Sequence, residues 1–323
     1  MSPVIRKHAD VIAILHAPET WSNQVSSHLN VPNGMDAPEH TLYRKLIEPF
    51  FDAQTLHRFE PVLKDIVTRL FRELPEEFHV ESDLAYPFAL QAQCAFMGWP
   101  HDLEAALLQW IQRQQKASAA GDREAMRLLA TEFSQLMVAE FKRARAGEYP
   151  VDSVTSRLVH LRIEGEPLAD EYLVSIVRNW TVGELGTIAN AVTAIVNFLQ
   201  ANNVVRKQLQ QAPEHIDHAV DEILRFNAPL ASNRRRAVCP MHMNGQAIEA
   251  DTVVTLDWGA ANTDPEVFEQ PHQFRWDRDP RDNLLYGAGI HVCPGAPLAR
   301  LELRAFTQAL LAHKTRSPAH ASP

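Results

Sequence analysis

The run Tyr286-Gly287-Ala288-Gly289-Ile290-His291-Val292-Cys293-Pro294-Gly295-Ala296-Pro297-Leu298-Ala299-Arg300 constrains this chain most, because it sets one cysteine in a glycine-rich turn directly ahead of an amphipathic helix. Gly287, Gly289 and Gly295 let the backbone take positive φ and approach a flat ligand closely, and the amides of such a turn can point at a sulfur. A free thiol ionises near about pH 8.5, and both the positive end of the following helix and a coordinated metal favour the thiolate at neutral pH. Ala299, Leu303, Phe306 and Leu310 supply the helical apolar spacing, and Pro297 falls in the first turn, where its missing N–H does no harm. The pattern suits a sulfur presented to a metal. A buried free cysteine in a Gly/Pro loop is the bland alternative, yet it requires neither three glycines nor His291 two residues earlier.

Elsewhere helical periodicity dominates. Helices are expected near His8–Leu15, Glu39–Phe50, Gln54–Leu74, Leu103–Ala117, Arg123–Ala146, Leu168–Gln200, Val204–Gln210 and His215–Phe226. Strand signals are confined to Pro3–Arg6, Ala237–Met243 and Thr252–Leu256, with Asn244-Gly245 as a turn between candidate strands. The expected fold is mainly α with small β-sheets. One domain over residues 1–313 is expected, followed by a disordered tail, 314–323, rich in Ser, Pro, Ala and His.

Composition excludes some functions. A net charge of −9 argues against a general nucleic-acid binder, which needs a basic face against phosphate. Cys94, Cys239 and Cys293 are odd in number and far apart, which argues against a disulfide framework and for a reducing compartment, with Cys94 and Cys239 inert. Arg6, Lys7, His8 and Asp10 interrupt the N-terminus, and no window of spanning length is read as free of charge. The chain is therefore expected to be soluble and cytoplasmic, with no membrane anchor.

Glu222 and Arg225 lie three apart on one helix face, a spacing that permits a charge-assisted pair but by itself fits many solvated helices. Together with the cysteine loop, however, this Glu-x-x-Arg pair resembles the cytochrome P-450 family of haem-thiolate monooxygenases, over almost the whole chain from Pro3 to about His313. The resemblance implies the cytochrome P-450 fold, lacking the usual N-terminal helix and strand and the C-terminal β-region. It makes Cys293 the axial thiolate of haem b (iron protoporphyrin IX), with Tyr286 where the family usually has phenylalanine and Gly287 beside it in the haem loop. Glu222 and Arg225 become a structural pair behind the loop, with a third arm from His272, Gln273 or Arg275. His40 and Arg44, Arg235, and His291 become partners of the haem propionates; alternation along the strand turns Arg234 and Arg236 the other way.

One departure stands on the long helix. The family's acid-then-threonine pattern aligns Thr187 with the threonine and leaves Gly186 at the acid. Thr187 is implied in proton delivery, and Glu184, three residues earlier, either replaces the acid, or salt-bridges elsewhere, or leaves the gap to water. Gly183 and Gly186 mark either a local distortion over the cofactor or close helix packing, at roughly 1 kcal/mol each relative to alanine. Trp21–Met35, Arg178, Thr181, Val182, Glu184, Leu185 and Pro229–Ser232 are expected to line a substrate pocket, and Arg300 and Arg304 to offer cations to an acidic donor.

The implied activity is insertion of one oxygen atom from dioxygen into a small or medium organic substrate. Electrons would come from a separate ferredoxin or flavodoxin-type donor. A peroxide-driven peroxygenase, or a truncated haem-binding protein without turnover, are the alternatives the resemblance leaves open.

Overall fold

The computed structural model describes residues 3–243 and 246–313. The chain forms two compact units, one from Met1–Phe51 and Asn190–Ala312, the other from Asp52–Ala189 with His313.

The first unit is built on a four-stranded sheet in the order Val4–Ile5, Val253–Asp257, Ser232–Ala237, Trp21–Ser22. The first pair is parallel and the others antiparallel, with Arg235 opposite Val254 and Trp21 opposite Ala237. Val11, Ile14, Trp21, Ala237, Val254, Leu256, Trp258 and Leu284 form the core beside this sheet. Helices His8–Leu15, Glu39–Ile47, Asn203–Gln211, Ile216–Asn227 and Ala296–Ala312 complete the unit, together with the helical residues from Asn190. A second antiparallel pair, Met241–Met243 with Gln246–Ile248, flanks the expected Asn244-Gly245 turn, which itself lies outside the described residues, as does the expected tail.

The strand expected over Ala237–Met243 is instead two, Ser232–Ala237 and Met241–Met243. Its three consecutive arginines weaken the apolar alternation, yet Arg235 is buried and Arg234 exposed, as a period of two demands.

The second unit is helical: Ala53–Glu73, Tyr86–Met97, Leu103–Ala120, Arg123–Arg145, Val154–Leu158 and Asp170–Val182, continuing as a π-helix over Gly183–Ile188. Asp52 and Asp122 start two of these helices by accepting the N–H of Thr55 (2.7 Å) and Ala125 (3.0 Å). Tyr86–Met97 was not legible as a helix because it is apolar nearly all round; Phe88, Ala89, Ala92, Cys94 and Met97 are all fully buried, so no one-sided period exists to read. Gly98, at φ +78°, closes it. A hairpin, Arg162–Ile163 with Glu166–Pro167, also escaped notice; it turns through Glu164 and Gly165, both at positive φ.

The helical stretch Asp170–Ala201 is long and apolar enough to cross a bilayer by length and composition, while every 18-residue window within it includes the charged Glu184. Half of its most apolar window is buried inside the protein, as in a core helix.

Candidate functional site

In the first unit the cysteine loop is locked by its own backbone. Gly287 N–H donates to Leu284 O (2.9 Å), Val292 N–H to Gly289 O (3.2 Å), and Cys293 N–H to Tyr286 O (2.9 Å). Gly287 and Gly289 take φ of +72° and +68°. A Cβ on Gly289 would sit 2.1 Å from the Leu15 carbonyl oxygen, so this glycine is required by the close approach of another segment of the chain. The sequence had suggested approach to a flat ligand. At Gly295, which ends the turn, a Cβ would touch Phe51 (3.8 Å) and the Cys293 sulfur (3.9 Å).

The Cys293 side chain is accessible in the structure. The protein crowded around its sulfur still pushes the thiol pKa up, opposed by the N–H groups of Gly295 and Ala296 at the start of the last helix and by the charge of Arg44. The surroundings of the sulfur thus disfavour charge overall, while two N–H donors at the start of the last helix favour the thiolate.

A rim of two imidazoles and two guanidinium groups converges beside the loop. The rings of His40 and His291 lie 4.2 Å apart, tilted by 53°. His40 is 2% exposed, and neither of its ring nitrogens has a hydrogen-bond partner. Burial, then the charge of Arg44, lowers its pKa, with Asp36 and Glu48 working the other way. Burial pushes His291 down to about 3, aided by His40, Arg235 and Arg44. Arg235 is 6% exposed, its pKa lowered to about 10 by burial, and its Nη1 donates to the carbonyl of its neighbour Arg234. Arg44 donates through Nη1 to Val292 O (2.6 Å) and through Nε to Glu48 (2.9 Å), so it clamps the cysteine loop directly.

Behind the loop, Glu222 and Arg225 form a fully buried bidentate pair, with Nε–Oε2 2.8 Å, Nη2–Oε1 3.0 Å and side-chain exposures of 3% and 1%. Arg225 Nη1 also donates to Asn262 O (2.6 Å). The third arm is Arg278, whose Nε donates to Glu222 Oε1 at 2.8 Å while its Nη2 donates to the carbonyls of Glu269 and Gln270. This corrects the expectation of His272, Gln273 or Arg275. Arg275 offers Glu222 only its main-chain N–H (3.2 Å), and its guanidinium is taken by Glu269 and Asp277. Arg278 was missed because an irregular meander has no period from which to count. Its mark in the sequence was only that it is the next arginine along, after Trp276-Asp277.

In the second unit, Glu184 and Thr187 stand on the π-helix Gly183–Ile188, Glu184 buried and Thr187 half-buried. Its i→i+5 bonding widens the turn, so the α-helical spacing that set Glu184 beside Thr187 does not apply. A Cβ on Gly183 would meet nothing within 4 Å, and one on Gly186 only the Gln115 amide nitrogen at 3.9 Å, so close packing demands neither glycine. Gln115 is oriented by Tyr86, whose hydroxyl donates to Oε1 (3.0 Å). Nearby on the preceding helix, Thr181 is buried and accepts from Gln93 (3.4 Å), and burial lowers the pKa of Arg178.

Comparison with known proteins agrees with this arrangement. The cytochrome P-450 family pattern matches residues 186–320. A polyketide biosynthesis cytochrome P-450 of Bacillus subtilis is 29% identical over 85% of this chain and 68% of its own length. Its solved structure superposes with a TM-score of 0.87 at 27% identity, over 96% of this chain and 82% of that one. A vitamin D(3) 25-hydroxylase of Pseudonocardia autotrophica is 31% identical over 87% of this chain and 69% of its own length.

This chain belongs to the cytochrome P-450 family.

It is thus an enzyme of the cytochrome P-450 monooxygenase type, with the haem that the family implies. The residues of the first unit fit that group. A haem brings carboxylates that need donors, and this cytochrome P-450 holds two buried or half-buried imidazoles, neither ring nitrogen of His40 having a hydrogen-bond partner, and a buried arginine whose charge is poorly offset. It brings iron that needs a ligand, and Cys293 lies under two aligned N–H groups. Arg300 and Arg304, expected as free surface cations, are each ion-paired, to Asp221 (2.9 Å) and Asp217 (2.8 Å).

Proposed function

We propose that this cytochrome P-450 inserts one atom of dioxygen into a small or medium, largely apolar organic molecule, using haem b and electrons from a separate ferredoxin or flavodoxin-type donor. In this reading residues 1–313 act as a single haem-binding domain in a soluble, cytoplasmic protein, with no membrane or nucleic-acid partner. The observation that carries it is the cysteine loop with its converging rim of His40, His291, Arg235 and Arg44. Relatives named as a vitamin D(3) 25-hydroxylase and an erythromycin C-12 hydroxylase support the substrate class.

Cys293 would hold the iron, and electron donation by its sulfur would be the contribution of this side chain to oxygen activation, the chemistry the haem supplies when bound. Arg235 and the two histidines would hold the haem's carboxylates. Arg44 divides its donors between them and the Val292 carbonyl, coupling cofactor retention to loop position. Tyr286 and Gly287 shape the loop. Thr187 and Glu184 hold and move protons for the reaction, Glu184 from a buried position.

A second reading rests on Gly186. With open space at that position, delivery of protons by a fixed acid is weakened, and a peroxide-driven oxygenation is favoured. The test is spectroscopic and then chemical. The reduced protein with carbon monoxide should give the red-shifted Soret band of thiolate ligation, lost in Cys293→Ala. Product with NAD(P)H, ferredoxin and reductase supports the first reading and product with peroxide alone the second. Haem binding without product under either regime would leave a carrier without turnover.

A further inference from the structure

Arg300 is placed between the cysteine loop and the helix behind it. Its Nη2 lies 2.9 Å from Asp221 Oδ2, and its guanidinium carbon lies 4.7 Å from the centre of the Tyr286 ring. The Tyr286 hydroxyl is buried without a hydrogen-bond partner, so this ring is held by its face. The Tyr286 carbonyl in turn accepts the N–H of Cys293 (2.9 Å). Asp221 reaches the same loop by a second route: its carbonyl accepts from Asn283 Nδ2 (2.9 Å), and Asn283 Oδ1 accepts the N–H of Leu285 (2.9 Å). The carboxylate itself is 10% exposed, while Arg300 is 41% exposed. Burial raises the Asp221 pKa to about 6, with the charge of Arg300 opposing, Asp217 adding and His218 opposing.

We propose that Asp221 and Arg300 are a positioning pair for the cysteine loop: together they fix the Tyr286 ring and set the electrostatic field in which the Cys293 sulfur holds iron, and so tune the reduction potential of the centre. The proposal rests on Cys293 as the haem ligand. It gives Arg300 a task inside the protein beyond meeting an electron donor. A nearby cation stabilises the reduced, more negative state of a one-electron centre, and a nearby anion destabilises it. The two members should therefore act with opposite signs, whereas loss of packing would act with one sign.

The test is the potential of the haem-loaded protein, measured by spectroelectrochemistry in Asp221→Asn, Arg300→Gln, the double variant and Arg300→Lys. Asp221→Asn should raise the potential and Arg300→Gln lower it. Each should change the reduction equilibrium about three- to tenfold, ~30–60 mV at ~59 mV per tenfold for one electron. The double variant should return toward the unaltered protein. Arg300→Lys should recover part of the loss, since lysine keeps the charge but not the flat stack. Shifts of one sign in both single variants, or none, overturn the proposal. If Arg300→Gln fails to retain haem, Asp221→Asn and Arg300→Lys carry the same test, upward for the first and smaller for the second. Carbon monoxide spectra are taken first; an unaltered protein without the thiolate-type band overturns the Cys293 assignment and this proposal with it, whereas a normal band with unmoved potentials overturns this proposal alone.

Discussion

The cysteine loop and the π-helix are both glycine-bearing segments, and they use glycine for opposite reasons. Around Cys293 the chain is over-determined: Gly289 abuts a carbonyl at a distance no Cβ could share, Arg44 clamps Val292, and Tyr286 receives the Cys293 N–H. Around Gly186 a Cβ would meet only the Gln115 amide nitrogen, at 3.9 Å, and the backbone runs as a π-helix. The contrast teaches that glycine at 289 is demanded by a neighbouring segment of chain, whereas glycine at 186 is not demanded by packing.

The buried triad supporting the loop should respond most strongly. Arg225→Ala leaves Glu222 charged and buried with one partner fewer, and should lower stability by about 3–5 kcal/mol, read from denaturant midpoints. Glu222→Gln should cost less than Glu222→Ala, because an amide retains an acceptor for Arg278.

Gly289→Ala and Gly186→Ala sharpen the comparison directly. The first combines positive φ with overlap on a backbone oxygen and should destabilise by about 2 kcal/mol or more. The second should be neutral or stabilising, by up to about 1 kcal/mol, since alanine favours helix and nothing obstructs it. Equal losses in paired thermal unfolding experiments would erase the distinction drawn between the segments.

Acid should weaken the haem-free protein through the rim. His40 has a folded pKa below its ordinary value of 6.5, so the unfolded chain binds a proton more readily. Its contribution is present above about pH 6.5 and falls as pH drops below it. Asp221, raised from 3.8 to about 6, has the reverse sign: its contribution is present below about 4 and is lost as pH rises through about 6. His40→Asn should flatten the acid limb of stability against pH, and Asp221→Asn the opposing slope.

Smallest is the effect of restoring an acid. Gly186→Asp has space beside the Gln115 amide and should shift product yield several-fold toward reductase-driven turnover relative to peroxide. An unchanged ratio would show that position 186 takes no part in proton delivery.

Much of this was legible in residue order. Local signals determined the cysteine loop, the helix that follows it, the Glu222–Arg225 spacing and the amphipathic helices, because turn chemistry and side-chain period act within a few residues of each other. The apolar helix Tyr86–Met97 was hidden because a face buried all round leaves no period. The π-helix was hidden because hydrogen-bond register is not a property of composition. Choosing Arg278 over Arg275, turning Arg300 toward Asp221, assigning Gly289 to Leu15 and bringing His40 against His291 were decisions of the tertiary structure alone. Each joins segments tens to hundreds of residues apart, and desolvation, which gives such contacts their energy, exists only once the chain has packed.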